Sequence, residues 1–503
     1  MRTILLFVLS TVILINSGSV FEAGSPAWQA KVEQELLTAS ILGPSEFVVF
    51  LSEQADLSGA SQLQTKQEKG EFVYQQLIAA ARRSQGPIIQ YLMDQGIEYR
   101  SFWVANMIWV QGNGDVLRTL ARRNDIERIF ANPHVKLADP YIVPGEIQLN
   151  SVEAPEWNIA KIRAPEVWLQ GYRGQGITIG GQDTGYDWEH PALINQYRGW
   201  DGATADHNYN WHDAIHTSSG NPCGNDAQEP CDDHHIGHGT HTMGIMVGEE
   251  ADLSNQVGVA PGAKWIGCRN MDQGVGSPAT YAECYQWFIA PTDLMGLNPD
   301  PSKAPDVINN SWSCPESENC IDPLVLLPVV EAVHAAGILT VHSAGNNGPT
   351  CSSINTPAAI YEASFTVGNT NGDDQIVFSS SRGPVTIDYS GRIKPDVSAP
   401  GTSIRSSFPR GGYGTLSGTS MAAPHVAGLA ALLFSAEPDL IGQVDQVERL
   451  IASSGQAVTS NSQCGGIPDT VYPNNSSGWG RVDALNTLLH ARHRMFLAMI
   501  RSD

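Results

Sequence analysis

Ser420 stands in the run Leu416-Ser417-Gly418-Thr419-Ser420-Met421-Ala422-Ala423-Pro424-His425-Val426-Ala427-Gly428. A serine hydroxyl is a weak nucleophile until a base takes its proton and donors meet the resulting oxyanion. From Met421 to Phe434 Ala, Leu and Val recur at helical spacing, so Ser420 is expected at or just before a helix N-terminus. There the dipole and free N–H groups favour developing negative charge. The commonest job for a serine at such a place is an N-cap, so a catalytic role needs two partners upstream. His238, in His234-His235-Ile236-Gly237-His238-Gly239-Thr240-His241-Thr242, offers a general base that must face the cleft. Gly237 and Gly239 are expected to keep its surroundings open. Asp183 ends the strand-like run Ile177-Thr178-Ile179-Gly180-Gly181-Gln182 and is followed by Thr184-Gly185. Its carboxylate would fix the imidazole tautomer and stabilise the imidazolium. An acid at a strand's carboxyl end is where open α/β sheets keep their sites.

With these three motifs in the order Asp-Thr-Gly, His-Gly-Thr-His and Gly-Thr-Ser-Met-Ala, the chain resembles the subtilisin family of serine peptidases from about Trp157 to His490. Within the family, Asn309-Asn310-Ser311-Trp312 and Asp293-Leu294 look most similar to bacillopeptidase F-like members. The resemblance implies an oxyanion donor in Ala344-Gly345-Asn346-Asn347-Gly348, and that role falls on Asn346. A pre-positioned amide meets the charge of a tetrahedral intermediate without reorganising. It also implies that Ser311, Trp312 and Ser313 form one wall of the pocket for the residue before the cut, and Ala344 with Gly345 the other. Trp312 and Ser313 depart from the Leu-Gly common there, so the pocket's shape is expected to differ. An extended peptide would add as a strand to these edges.

Rival chemistries fit less well. A metal-dependent hydrolase could use His234, His235, His238 and His241, but their spacing is not His-Glu-x-x-His. An ester hydrolase of the α/β type needs Gly-x-Ser-x-Gly, and Ala422 stands where the last glycine belongs. An inactive, peptidase-like binding protein would be expected to have lost a triad residue, and all three are present.

The elements that must position these groups read as an α/β body at residues 151–503. Apolar runs near Ile177, Lys264, Val307, Gly337 and Phe365 alternate with helical stretches near Gly239, Ala279, Leu324 and Met421, with a last helix from Arg481 to Ile500. Such alternation predicts a subtilisin-like parallel sheet flanked by helices. Residues 24–150 read as a small α+β domain: strands at Glu46–Leu51, Phe102–Val110 and Ile126–Asn132, helices at Gln62–Gln95 and Asp115–Arg123. This domain resembles the inhibitory propeptides that precede subtilisin-like enzymes, so the chain's own propeptide is an expected intramolecular partner. Maturation is expected in the linker Ala138–Ala154, which holds Pro140, Pro144 and Gly145.

Residues 1–23 carry Arg2, an apolar core from Ile4 to Ile15 and small residues after it, the pattern of a secretory signal peptide. The expected location is therefore outside the cytoplasm, extracellular or periplasmic. All eight cysteines lie between Cys223 and Cys464, which suggests disulfides in an exported chain. The expected pairs are Cys223–Cys231, Cys314–Cys320, Cys268–Cys284 and Cys351–Cys464. A net charge of −23, mostly in the body, disfavours nucleic acid or anionic membrane as partners. The expected partners are protein and peptide substrates. No cofactor is expected for the chemistry. Asp226, Glu229, Asp232 and Asp233 are candidate ligands for a structural calcium ion, but their spacing matches no defined calcium loop, and a solvated acidic insertion is the favoured reading.

Overall fold

The structure, a computed structural model, describes residues 27–137, 141–142 and 153–502 of the chain. The expected signal peptide lies outside the described residues. The N-terminal module contains α1 (Gln34–Leu42), β1 (Ser45–Leu51), α2 (Lys66–Ser84), α3 (Gly86–Asp94), β2 (Glu98–Phe102), β3 (Met107–Gly112), α4 (Gly114–Ala121) and β4 (Ile126–Ala131). Its antiparallel sheet runs in the order β2-β3-β1-β4. Two short strands follow, β5 (Val135–Lys136) and β6 (Tyr141–Ile142).

Two sequence expectations are corrected in this module. The run Phe102–Val110 is a hairpin, turning at Trp103–Asn106, instead of one strand. Its turn is apolar because it packs on the body, where the Trp103 N–H donates to Gln286 Oε1 at 2.6 Å. Asn106 supplies the left-handed residue, φ 44°, that closes it. The single helix expected over Gln62–Gln95 is two, broken at Gln85 where Gly86-Pro87 opens a new first turn.

Strand β1 is apolar at every position from Phe47 to Leu51 because both faces of the sheet are covered. Phe47, Val49, Leu51, Ile108 and Val110 pack with Leu36, Leu92 and Leu117 of the module's own helices. Val48, Phe50, Met107, Trp109 and Phe130 face the other way and share one core with Tyr285, Trp287, Val329 and Val333 of the body. Exposing such side chains to water costs about 1.5–3 kcal/mol each, so the body completes the module's second core.

The body begins with α5 (Trp157–Lys161) and α6 (Ala164–Trp168), then β7 (Thr178–Asp183), β8 (Trp211–Asp213), α7 (His238–Val247), β9 (Lys264–Arg269), β10 (Met271–Asp272) and β11 (Val275–Gly276). It continues with α8 (Pro278–Ile289), β12 (Val307–Asn310), α9 (Leu327–Ala335), β13 (Leu339–Ser343), β14 (Phe365–Thr370), β15 (Val397–Pro400), β16 (Ile404–Phe408) and β17 (Gly412–Ser417). Helices α10 (Thr419–Ala436), α11 (Val444–Ser453) and α12 (Ala484–Ser502) complete it. Seven strands form a parallel sheet in the order β15-β14-β13-β12-β7-β9-β8. Alternate residues serve the two faces. Val307, Leu339 and Trp265 pack under α10, whereas Ile308 and Ile266 pack under α8 and α9. Strand order reverses at β7, whose neighbours are β9 and β12, and open α/β sheets place their sites at such reversals. All four expected disulfides are formed. Among the described residues α10 is the one helix long and apolar enough to cross a membrane, and it is buried in the body.

Ionic contacts also cross between module and body. Lys66 Nζ donates to Asp306 Oδ1 and to the Ala304 carbonyl, both at 2.7 Å. Arg100 lies 3.5 Å from Glu283 Oε2, while His212 Nε2 and His216 Nε2 meet Glu283 Oε1 at 3.0 and 2.8 Å. Burial alone would raise the Glu283 carboxyl, but the two imidazoles outweigh it and hold it down to about 2. Burial likewise opposes the charge on His216, yet Glu283 and Asp226 carry it up to about 9, against the like charge of Arg100. A raised imidazole stabilises the fold fully below its unfolded value of 6.5 and loses that contribution as pH rises through about 9. Thermal midpoints measured across that window are expected to fall, and to fall less in His216→Gln. Equal slopes in both proteins would refute this account of the cluster.

Candidate active site

Asp183 is the last residue of β7 and is buried. Its Oδ1 accepts from His238 Nδ1 at 2.7 Å and from the Thr184 N–H at 2.8 Å, and Oδ2 accepts from Thr242 Oγ1 at 3.3 Å. The carboxylate therefore selects the tautomer with hydrogen on Nδ1, leaving Nε2 to act as a base. His238 opens α7 and is fully buried, not exposed as the sequence reading required.

The flanking glycines are close-approach positions instead of open space. A Cβ on Gly239 would stand 2.1 Å from the Gly185 carbonyl, and one on Gly237 would stand 2.1 Å from Pro409 Cδ. Gly237 also adopts φ 58° as the N-cap. The Gly239 contact presses the first turn of α7 onto the end of β7, and the Gly237 contact seats it against the turn between β16 and β17.

Asp232 was legible only as a calcium candidate, and its place is behind this pair. Its Oδ1 accepts from Thr184 Oγ1 at 2.9 Å, and its Oδ2 from Thr240 Oγ1 at 2.6 Å and the Thr240 N–H at 3.0 Å. Thr184 Oγ1 in turn accepts from the Gly239 N–H at 3.0 Å, so one acid laces β7 to α7. Burial pushes its carboxyl up to about 7, with the nearby Asp183 charge adding to the shift. The other calcium candidates are dispersed. Asp226 pairs with His216 Nδ1 at 2.5 Å, Asp233 with Arg269 Nη1 at 2.8 Å, and Glu229 is exposed. The four carboxylates do not fit a calcium site. Nor do the four histidines make a ligand set: the His234 ring lies 4.5 Å from that of His235 and 6.3 Å from that of His238, but His241 Nε2 faces the Ile404 and Gly414 carbonyls and His238 is held by Asp183. Among the described residues, they contribute to no group of ligand atoms at coordinating distance.

Ser420 is the second residue of α10, so it is not the N-cap; Gly418 holds that position without a side-chain bond. Its N–H belongs to the first turn, where helices leave donors without intrahelical partners. Pro424 sits inside the helix and cannot donate to the Ser420 carbonyl four residues back. Ser311 Oγ fills that gap, donating to the Ser420 carbonyl at 2.9 Å, and Ser420 Oγ donates to the Ser311 carbonyl at 3.3 Å. Ile236 and Met421, close in sequence to His238 and Ser420, pack in one apolar cluster. Asn346 follows β13 after Gly345, whose φ of 94° needs glycine. Asn346 Oδ1 accepts from the Thr419 N–H at 2.9 Å and from Thr419 Oγ1 at 3.1 Å, which commits the amide's oxygen to the helix start.

A cleft of about 570 Å³ is lined by Ser311, Trp312 and Ser313 on one side, Ala344, Gly345 and Asn346 on the other, and Ser420. Ser353, Thr356 and Ser379 also line it. The Trp312 ring is buried, stacked on Tyr281 at 3.9 Å and edge-on to His342. Val135 enters the same apolar cluster, with Met271, Tyr281 and Trp312. Strand β5 pairs antiparallel with β11, and the Leu137 N–H donates to the Gly274 carbonyl at 2.7 Å. Beyond it, β6 pairs with Leu416 and Ser417 of β17. Lys136 and Leu137 line the cleft that holds Ser420.

A doubly wound parallel sheet, an acid–imidazole pair at its reversal and a serine opening the central helix together define the subtilisin-like class of α/β folds. A model of the subtilase family matches residues 174–480. Bacillopeptidase F of Bacillus subtilis (strain 168) is 35% identical over 447 residues, 85% of this chain and 29% of that protein. Subtilisin E from the same organism is 32% identical over 303 residues, 59% of this chain and 66% of its own length. The serine protease AprX, also from that organism, is 34% identical over 313 residues, 56% of this chain and 62% of its own. The chain belongs to the subtilase family.

Proposed function

We propose that the protein is a secreted serine endopeptidase, made as an inhibited precursor, that cuts peptide bonds through Asp183, His238 and Ser420. The observation that carries this reading is the buried Asp183–His238 pair at 2.7 Å beside a cleft holding both Ser420 and Asn346. His238 Nε2 takes the Ser420 hydroxyl proton as Oγ attacks the carbonyl carbon. The Asn346 amide N–H and the Ser420 N–H hold the oxyanion. His238 then gives its proton to the leaving amine, and water repeats the sequence on the acyl-enzyme. Every group in this scheme belongs to the chain itself.

Substrate binds as an extended strand between β11 and Ser311–Ser313, which suits unfolded or loop segments of proteins. The pairing of the chain's own Val135–Leu137 with β11 supports that geometry. Residues 24–150 act as the propeptide on this reading, and maturation cuts in the linker Ala138–Ala154, which follows directly on Leu137 in the Ser420 cleft. Four disulfides support an oxidising compartment.

A fluorophosphonate probe tests the assignment directly: one adduct is expected, on the peptide carrying Ser420, and chelators should leave labelling unchanged. Absence of that adduct from active protein would reject the reading. Asn346→Leu is expected to reduce turnover by about a hundred- to a thousandfold with little change in KM, the cost of losing such a donor in subtilisin. Unchanged turnover would remove Asn346 from the oxyanion site.

A further inference from the structure

Helices α9 and α11 bring three ligand-type side chains together. His334 Nε2 lies 3.2 Å from Asp445 Oδ1, and ligand atoms of His334, Asp445 and Glu448 all lie within 4.8 Å of one another. Asp445 and Glu448 are three residues apart on α11, so they share one face of the helix. Glu448 Oε1 is buried and has no hydrogen-bond partner. A buried carboxylate oxygen left without a donor is costly, and it is the atom a cation would satisfy. His334 and Asp445 keep part of their side chains in water, 26% and 68% exposed, which leaves a path for an ion to enter.

We propose that His334, Asp445 and Glu448 bind a divalent first-row transition-metal ion, with zinc the best match. One imidazole nitrogen with two carboxylates is a donor set for such ions, whereas calcium prefers oxygen alone. Ligands about 2.0–2.2 Å from zinc in tetrahedral array stand roughly 3.3 Å apart, close to the His334–Asp445 separation. The charges facing the group are Asp396 and Glu362 on one side of the balance, and Lys394 and Lys69 on the other. The ion would clasp α9 to α11. It would do so at the seam with the N-terminal module, where Lys69 Nζ donates to the Gly442 carbonyl just before α11.

Calorimetric titration of zinc chloride into the full chain carrying Ser420→Ala, which prevents self-digestion, tests the site. One saturable equivalent is expected, together with a rise in thermal midpoint. In Glu448→Gln, which keeps the side chain's shape, affinity should fall at least about tenfold, the loss that even outer partners of a metal cause. His334→Gln should show the same loss, and it carries the test if Glu448→Gln does not fold by near-ultraviolet circular dichroism. No saturable binding would overturn the proposal. So would affinity that survives both substitutions but disappears when His234 and His235 are replaced.

Discussion

Replacing Ser420 by Ala is expected to lower turnover of casein by about a millionfold, the scale of the nucleophile's loss in subtilisin. Some rate above that of water should remain, because Asn346 and the binding strands are untouched. The full chain should also accumulate without a cut in the linker Ala138–Ala154. The fold should be preserved, since the Ser420 carbonyl still accepts from Ser311 Oγ and only the hydroxyl's bond to the Ser311 carbonyl is lost. Intact-mass analysis and a casein assay read both outcomes. A processed, active Ser420→Ala protein would end the mechanism.

Asp183→Asn is expected to lower turnover by up to about ten-thousandfold, a ceiling set by the case in which the imidazole also takes the wrong tautomer. The local network limits how the amide can sit. Two donors, His238 Nδ1 and the Thr184 N–H, point at Oδ1, so the amide oxygen belongs there. The amide nitrogen then faces Thr242 Oγ1, which can accept while donating to the Gly239 carbonyl 3.0 Å away. The imidazole tautomer is kept and the negative charge is lost. Activity should therefore fall because the imidazolium is no longer stabilised, and His238 should protonate at lower pH. Nitrogen-15 spectra of the ring would show Nδ1 still protonated in the neutral form. Wild-type turnover in Asp183→Asn would show that this acid does not serve His238.

The sequence made plain those parts of the molecule whose signals are short-range. Asp183, His238 and Ser420 each sit in a compact motif because the backbone around them must turn or approach closely at fixed offsets. The five strand runs with dense apolar content were equally readable, since parallel strands are buried on both faces. Strands β16 and β17 were not, because Ser406, Ser407, Gly412 and Gly414 replace apolar alternation with small residues that fit against α7. The Trp103–Asn106 turn was hidden for the opposite reason, its residues being apolar to suit a partner hundreds of positions away. Asp232 could not be told from its acidic neighbours, for its partners Thr184 and Thr240 converge on it only through folding. The histidine cluster suggested a metal centre by residue type while its spacing argued against one, and in the fold Asp183 holds His238 while the Ile404 carbonyl meets His241.

The mutual grip of Ser311 and Ser420 limits how this protein can be re-engineered. Because Pro424 has no N–H to give, the hydroxyl at position 311 acts as a missing rung of the central helix while its main chain forms a pocket wall. Removing that hydroxyl to widen the cleft would orphan the buried Ser420 carbonyl, at a cost of about 1–3 kcal/mol, at the proposed nucleophile. Libraries that diversify specificity would do better to hold position 311 at Ser or Thr and vary Thr356 and Ser379, leaving Ser353, whose Oγ accepts from the Arg382 N–H at 2.9 Å.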